Sequence, residues 1–338
     1  NIILISIIFS LIIGQITPPD GLRENSPGVW ALTSSIVHTE PGAILENATI
    51  IIRDGLVENV GTTVTIPEDA TILDMSGKTI YPGFIDSWVE FPVQSKDIPS
   101  HDAHWNFKVH AGRDMSRIYK PDLKQQTSLH KMGFTAAHIV PDSGIFQGKT
   151  CLVQLDDEGI ILNPSVTQKL SYEVDGWGSD KYPNALLGVV ALLRQTFIDA
   201  DWYGKAQEII KRYSSYNKPI KRNKDLDIIN AWMHEKKPFL MQTKHELDAL
   251  RTIKIAEEFK LNHWIYGSGY EYRRIDEIAK NKPVIILPLD FPSIPDISNP
   301  YQELSYTTSE LKHWDMAPDN PGIIIKHEIP MIFTTQLL

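Results

Sequence analysis

Apolar residues run almost unbroken from Ile2 to Ile13. From Val29 to Leu73 they alternate with polar ones in short runs, and further along they gather into helix- and strand-length blocks. The second region predicts strands. Ala31 to His38 precedes a Pro41-Gly42 turn. Ala48 to Arg53 runs into Asp54-Gly55, a two-residue hairpin signal, and Leu56 to Gly61 returns. Thr71 to Asp74 follows, and Ser76-Gly77 marks another turn. The stretch from Thr79 to Phe91 then reads as a strand reached through Pro82-Gly83. Its parity places Phe84, Trp88 and Glu90 on one face, opposite Ile85 and Val89.

Beyond Glu90 the period changes. Leu123 to Met132 predicts a helix that stops at Gly133, and Phe134 to Val140 a strand. Leu186 to Trp202 is helical, with Leu187, Val190, Leu193 and Phe197 at the spacing of one face. Helices are predicted over Asp225 to Glu235, Glu246 to Phe259 and Tyr272 to Lys280. In Glu246 to Phe259 the inner face is Leu247, Leu250, Ile253, Ile255 and Ala256. Between and after the helices lie strands at Pro238 to Thr243, His263 to Tyr266, Pro283 to Leu287 and Ile329 to Thr334. Strands that alternate with helices predict an α/β protein with a parallel sheet. The number of units suits a (β/α)8 TIM-like barrel over residues 79–338 better than an open doubly wound sheet. No strand is followed by a Gly-rich phosphate turn.

Composition narrows the function classes. The 338 residues are 42% hydrophobic and 22% charged, enough for one large domain and a small accessory one. A net charge of −9, from 33 basic and 42 acidic residues, argues against a nucleic-acid binder. The basic cluster from Lys218 to Lys224 reads as a solvated loop. Cys151 is the single cysteine, which leaves no internal disulfide and no zinc–thiolate site. The apolar run from Ile2 to Ile13 is too short to span a bilayer and fits the core of a signal peptide over residues 1–16. The expectation is an exported protein, periplasmic or secreted, with no stable membrane span.

The run Pro82-Gly83-Phe84-Ile85-Asp86 resembles the first barrel strand of the amidohydrolase superfamily, where it leads into His-x-His. The order Ile50-Ile51-Ile52-Arg53-Asp54-Gly55, Val60-Gly61 and Pro82 to Asp86 is similar to imidazolonepropionase-like members of that superfamily. The resemblance covers roughly residues 29 to 338. It implies a small antiparallel β-sandwich over residues 25–78, incomplete here, sealing one side of the barrel. The chain then reads as truncated at both ends, with a possible second amidohydrolase domain beyond it. The family activity is hydrolysis of carbon–nitrogen bonds, assisted by a divalent metal such as zinc.

Carried over residue by residue, the implied metal ligands are missing. Trp88 and Glu90 stand in the two histidine slots of the first strand. Met241-Gln242-Thr243 replaces Ile-His-Ala on the fifth strand. Tyr266-Gly267-Ser268-Gly269 occupies the region of the sixth-strand histidine, and Gln336 stands in for the catalytic Asp of the eighth. Trp offers no lone pair to a metal, and an amide neither takes a proton nor offsets a dication. The fourth-strand ligand, a carboxylated Lys or a Glu in the family, is open between Lys149 and Lys169. No metal cofactor is therefore expected, and Trp88, Glu90, Gln242 and Gln336 are the candidate ligand-binding set. Glu90, without a metal to neutralise it, should take a hydrogen bond from Gln242, Gln336 or a cation.

His101, His104 and His110 offer a substitute metal site, with a polar loop preferred. The Gly- and aromatic-rich loop Asp175 to Asn184 could cover the barrel mouth or be a plain connection. Three functions stay open. The chain is a catalytically degenerate barrel that binds a small-molecule ligand or supports an active unit; or a hydrolase of cyclic amides or small peptides that uses Glu90; or an interaction module without pocket chemistry.

Overall fold

The structure, a computed structural model, describes residues 28–94, 102–174, 180–213, 220–296, 301 and 304–336. The signal-like run Ile2 to Ile13, His101 and the first half of the loop from Asp175 lie outside the described residues. The chain divides into two compact units between Pro82 and Gly83.

The first unit is one sheet of five strands: β1 (Val29–Glu40), β2 (Ala43–Arg53), β3 (Leu56–Gly61), β4 (Thr71–Asp74) and β5 (Thr79–Ile80). The order is β3-β2-β1-β4, with β5 also beside β1. The hairpin signal at Asp54-Gly55 is a turn with φ of 51° and 80°, the two left-handed residues that a tight two-residue connection requires. The sheet is mixed, which corrects the antiparallel expectation. β1, β2 and β3 alternate in direction, whereas β4 and β5 run parallel to β1. The chain crosses from β3 to the far edge of β1 before β4 begins, so β4 enters in β1's own direction. Because Thr79-Ile80 pairs with β1, the second unit starts at Gly83 and not at Thr79.

The second unit holds two sheets. The four-stranded one has the order β10-β9-β7-β6, from β6 (Phe84–Phe91), β7 (Phe134–Pro141), β9 (Cys151–Gln154) and β10 (Ile161–Asn163). The six-stranded one has the order β15-β14-β13-β12-β11-β8. Its members are β8 (Phe146–Lys149), β11 (Gln168–Ser171), β12 (Phe239–Gln242), β13 (His263–Tyr266), β14 (Val284–Pro288) and β15 (Met331–Thr334). β11 to β15 are parallel throughout, as are β6 and β7. Helices α1 (Met115–Ile118), α2 (Leu123–Lys131), α3 (Leu186–Arg212), α4 (Lys224–His234), α5 (Glu246–Phe259), α6 (Ile275–Ile278), α7 (Thr308–Met316) and α8 (Asn320–Lys326) connect the strands.

Helix α3 runs ten residues past its predicted end and turns a different face inward. Val189, Leu192, Leu193 and Phe197 are buried, while Leu187 is 81% exposed. Phe197 sits at the centre of this core with its ring against Phe146, Phe239 and Phe259. Likewise Leu247 of α5 is 43% exposed, and the buried face is Ala249, Ile253, Ile255 and Ala256. The predicted helix at Tyr272 is a 3-10 turn over Glu271–Arg274 followed by the short α6.

Two seams join the sheets. At one, β6 meets β15 through side chains. Ser87 Oγ donates to the Phe333 carbonyl at 2.7 Å, and Thr334 Oγ1 donates to Asp86 Oδ1 at 2.6 Å. Asp86 is fully buried and also accepts from the Trp88 N–H and from the hydroxyl and N–H of Thr335. At the other, the Lys169 ammonium on β11 donates to the Pro141 carbonyl at the end of β7, 2.7 Å away. Gly83 is required where β6 begins, because a Cβ there would lie 2.2 Å from Thr135 Oγ1.

Candidate functional site

β6 is not a simple alternating strand. Its pairing with β7 shifts between Phe84 and Ile85 and again between Asp86 and Val89. The first shift overturns the expected parity. Phe84 and Ile85 are both 55% exposed, but Phe84 lies edge-on to Phe134 whereas Ile85 lines an open apolar cleft with His138, Trp264 and Ile286. After the second shift Trp88 and Glu90 share a side. Trp88 packs among Val140, Leu240, Tyr266 and Ile286, residues drawn from both sheets.

Around Trp88 the structure gathers a polar cluster. The Lys169 ammonium lies 4.2 Å from the centre of the Trp88 ring and 3.3 Å from Glu90 Oε1. Gln242, the last residue of β12, donates to the same Glu90 oxygen at 3.5 Å. The Tyr266 ring lies 4.1 Å from the Trp88 ring, tilted by 39°. Glu90 and Gln242 therefore converge. Gln336 does not join them: its backbone N–H donates to Thr334 Oγ1, and its amide makes no hydrogen bond among the described residues. Its place near β6 is taken by Thr334 and Thr335, which hold Asp86 instead.

Of the two lysines left open, Lys169 is the one at the site. Lys149 pairs with Asp114 Oδ2 at 2.9 Å, away from the cluster. Lys169 has no exposed surface, and burial pushes its ammonium down to about 8 against the opposing pull of Glu90. Burial, followed by the Glu90 charge, pushes the Tyr266 phenol up, so it stays a neutral donor. The Trp88 indole N–H is buried without a hydrogen-bond partner among the described residues. It is a donor that an acceptor on a bound molecule could satisfy.

These residues do not fit a divalent metal. Trp88 and the protonated Lys169 have no lone pair to give, and Oε1 of Glu90 is already taken by an ammonium and an amide. Among the described residues no three His, Cys, Asp or Glu side chains converge elsewhere. His104 is buried and its ring accepts the Asn106 N–H at Nδ1, while its backbone N–H donates to Asp225. His110 is pushed down to about 4 by burial, with Arg113 and Lys108 adding to it. Cys151 is buried and its thiol is pushed up to about 12, so it is no nucleophile. Among the described residues no helix is long and apolar enough to cross a membrane.

Lys169 and Tyr266 carry more of the site than the sequence reading gave them. Gln168-Lys169-Leu170-Ser171 has no apolar alternation, so nothing in it marks a strand that turns a lysine inward.

No protein-family model and no curated protein sequence matches the chain. Solved structures do. An amidohydrolase from Thermotoga maritima MSB8 superposes with a TM-score of 0.67 at 18% identity, covering 91% of this chain and 78% of its own. A prolidase complexed with N-methylphosphonate-L-proline matches at 14% identity and a TM-score of 0.46, covering 92% and 79%. E. coli guanine deaminase matches at 12% and 0.39, covering 91% and 73%. The first likeness establishes the fold, and the other two are too distant to carry an argument.

Proposed function

We propose that this chain, which has the fold of the amidohydrolase superfamily, is a catalytically reduced barrel that binds a small polar molecule where that fold places its metal. The supporting observation is the Lys169 ammonium set between the Trp88 ring and Glu90, at 4.2 and 3.3 Å. A cation of the protein's own neutralises the carboxylate that a metal would otherwise neutralise. The two sheets are read as one closed TIM-like barrel, supported by the β15–β6 and β11–β7 seams. The ligand is expected to bring a carbonyl or carboxylate acceptor to the unpartnered Trp88 N–H.

The rival in which Glu90 acts as the base of a working hydrolase is less well supported, since the Lys169 ammonium and the Gln242 amide both donate to Glu90 Oε1 and so favour its ionised form. Export to a periplasmic or secreted location, and support of an active second amidohydrolase unit, belong to the same proposal. N-acetylglycine, with an amide carbonyl and a carboxylate, is a suitable probe. The reading predicts saturable thermal stabilisation that Gln242→Leu weakens, and no hydrolysis product with added Zn²⁺ or Mn²⁺. Metal-dependent release of acetate and glycine would overturn it.

A further inference from the structure

A second site lies away from this cluster, and its argument is independent of the function proposed above. Residues 111–114, 117 and 118, Lys149, Ser165, one face of helix α4, Glu235 and Lys237 line an open cleft of about 520 Å³. That is the size of a small-molecule site, roughly 300–1,000 Å³. Its floor is apolar, from Ile118, Ile228 and the Trp232 side chain.

The rim is cationic in a chain of net charge −9. Arg117, Lys149, Lys224 and Lys237 face two carboxylates, Asp114 and Glu235. Both carboxylates are already used. Asp114 holds Lys149 at 2.9 Å and Arg117 at 3.5 Å, and Glu235 holds Lys237 at 2.5 Å. Two positive charges are left over, and the Lys224 ammonium makes no ion pair among the described residues. Arg113, buried in the same wall with its guanidinium on the Ser143 and Gln147 carbonyls, adds further positive potential.

Helix stability does not explain Lys224. It is exposed at the first position of α4, where the helix dipole disfavours a cation. The helix already has its cap, since Asn223 accepts the Leu226 N–H, and Asp225 and Asp227 supply the favourable charges of the first turn. The cleft wall is also fixed in advance. Asp225 is buried and ties α4 to the facing segment by accepting the N–H groups of His104 and Gly112, at 2.8 and 2.7 Å.

We infer that this cleft binds a small organic phosphate, an ester whose dianion takes up the surplus charge of the rim and whose apolar body lies on Ile118, Ile228 and Trp232. A dianion matches the net charge of the rim, four cations against two carboxylates, and Ser165 lies in the same wall.

Isothermal titration of the full chain with phenyl phosphate tests this, with phenol as the neutral analogue. Lys224→Glu is the informative variant, because an acid at the first helical position favours the helix and leaves folding intact. Lys205→Glu, on the exposed face of α3, is the control for overall charge. The expected result is one saturable site for phenyl phosphate. Lys224→Glu should weaken it by about tenfold or more, Lys205→Glu should leave it unchanged, and phenol should bind far more weakly. Absence of saturable binding, equal loss in both variants, or equal binding of phenol would overturn the assignment.

Discussion

Replacing Glu90 by Gln keeps an oxygen for the Lys169 ammonium and removes only the charge. The ammonium is buried and held at a pKa of about 8, below its ordinary 10.5, with Glu90 the main group opposing a further fall. At about pH 7 the folded wild type keeps this proton with a free energy on the order of 1 kcal/mol, about one pKa unit. If the ammonium becomes untenable without Glu90, the folded protein releases the proton instead, so the loss by this route is capped near that value. At about pH 9 the wild type has already released the proton, and the same substitution should cost about zero by this route. Glu90→Gln is thus expected to lower stability by about 1 kcal/mol at neutral pH and by almost nothing two units higher. Urea denaturation of both proteins at the two pH values measures it. An equal loss at both would show that Glu90 does not act through the Lys169 charge. A loss above about 3 kcal/mol at neutral pH would show that the buried cation cannot give up its proton.

Three further outcomes are expected. Asp86→Ala should cost at least about 3 kcal/mol in the same denaturation assay, because it leaves the Trp88 N–H and both threonines of the β6–β15 seam without their acceptor. His138 is buried between the Ser87 carbonyl and the Thr150 hydroxyl, and burial pushes it down to about 4 from 6.5. The unfolded chain therefore binds more protons in that interval, and stability should fall as pH drops from 6.5 to 4, by about 3 kcal/mol from this group; urea midpoints across that range should flatten in part in His138→Gln. Cys151 should react with a thiol-directed disulfide reagent only on unfolding, and rapid labelling of the native protein would contradict its burial.

Much of the fold is legible in the sequence where local chemistry and packing agree. The Asp54-Gly55 turn, the strands at Phe134, Phe239, His263 and Val284, and helix α5 fall where their patterns place them. The pattern fails where a tertiary partner decides. Residues 146–171 hold four strands of three or four residues each, too short for a period to show, and β8 and β11 bury polar side chains that a solvated loop would expose. Parity fails in β6 because two register shifts re-aim its side chains, which puts Ile85 where Phe84 was expected. The candidate site was readable in part. Trp88, Glu90 and Gln242 converge, but a lysine in a polar tetrapeptide gives no sign that it is buried, and Gln336 lies past the last strand, where its neighbours turn to Asp86.

The proposal stands or falls on whether the strand ends hold a metal. The direct measurement is elemental analysis of protein expressed with added zinc and manganese and purified without chelators. With Lys169 on Glu90 and an indole beside it, the account predicts well below one metal per chain and no change in Glu90→Gln. One or more tightly held metal ions per chain, lost in Glu90→Gln, would contradict it.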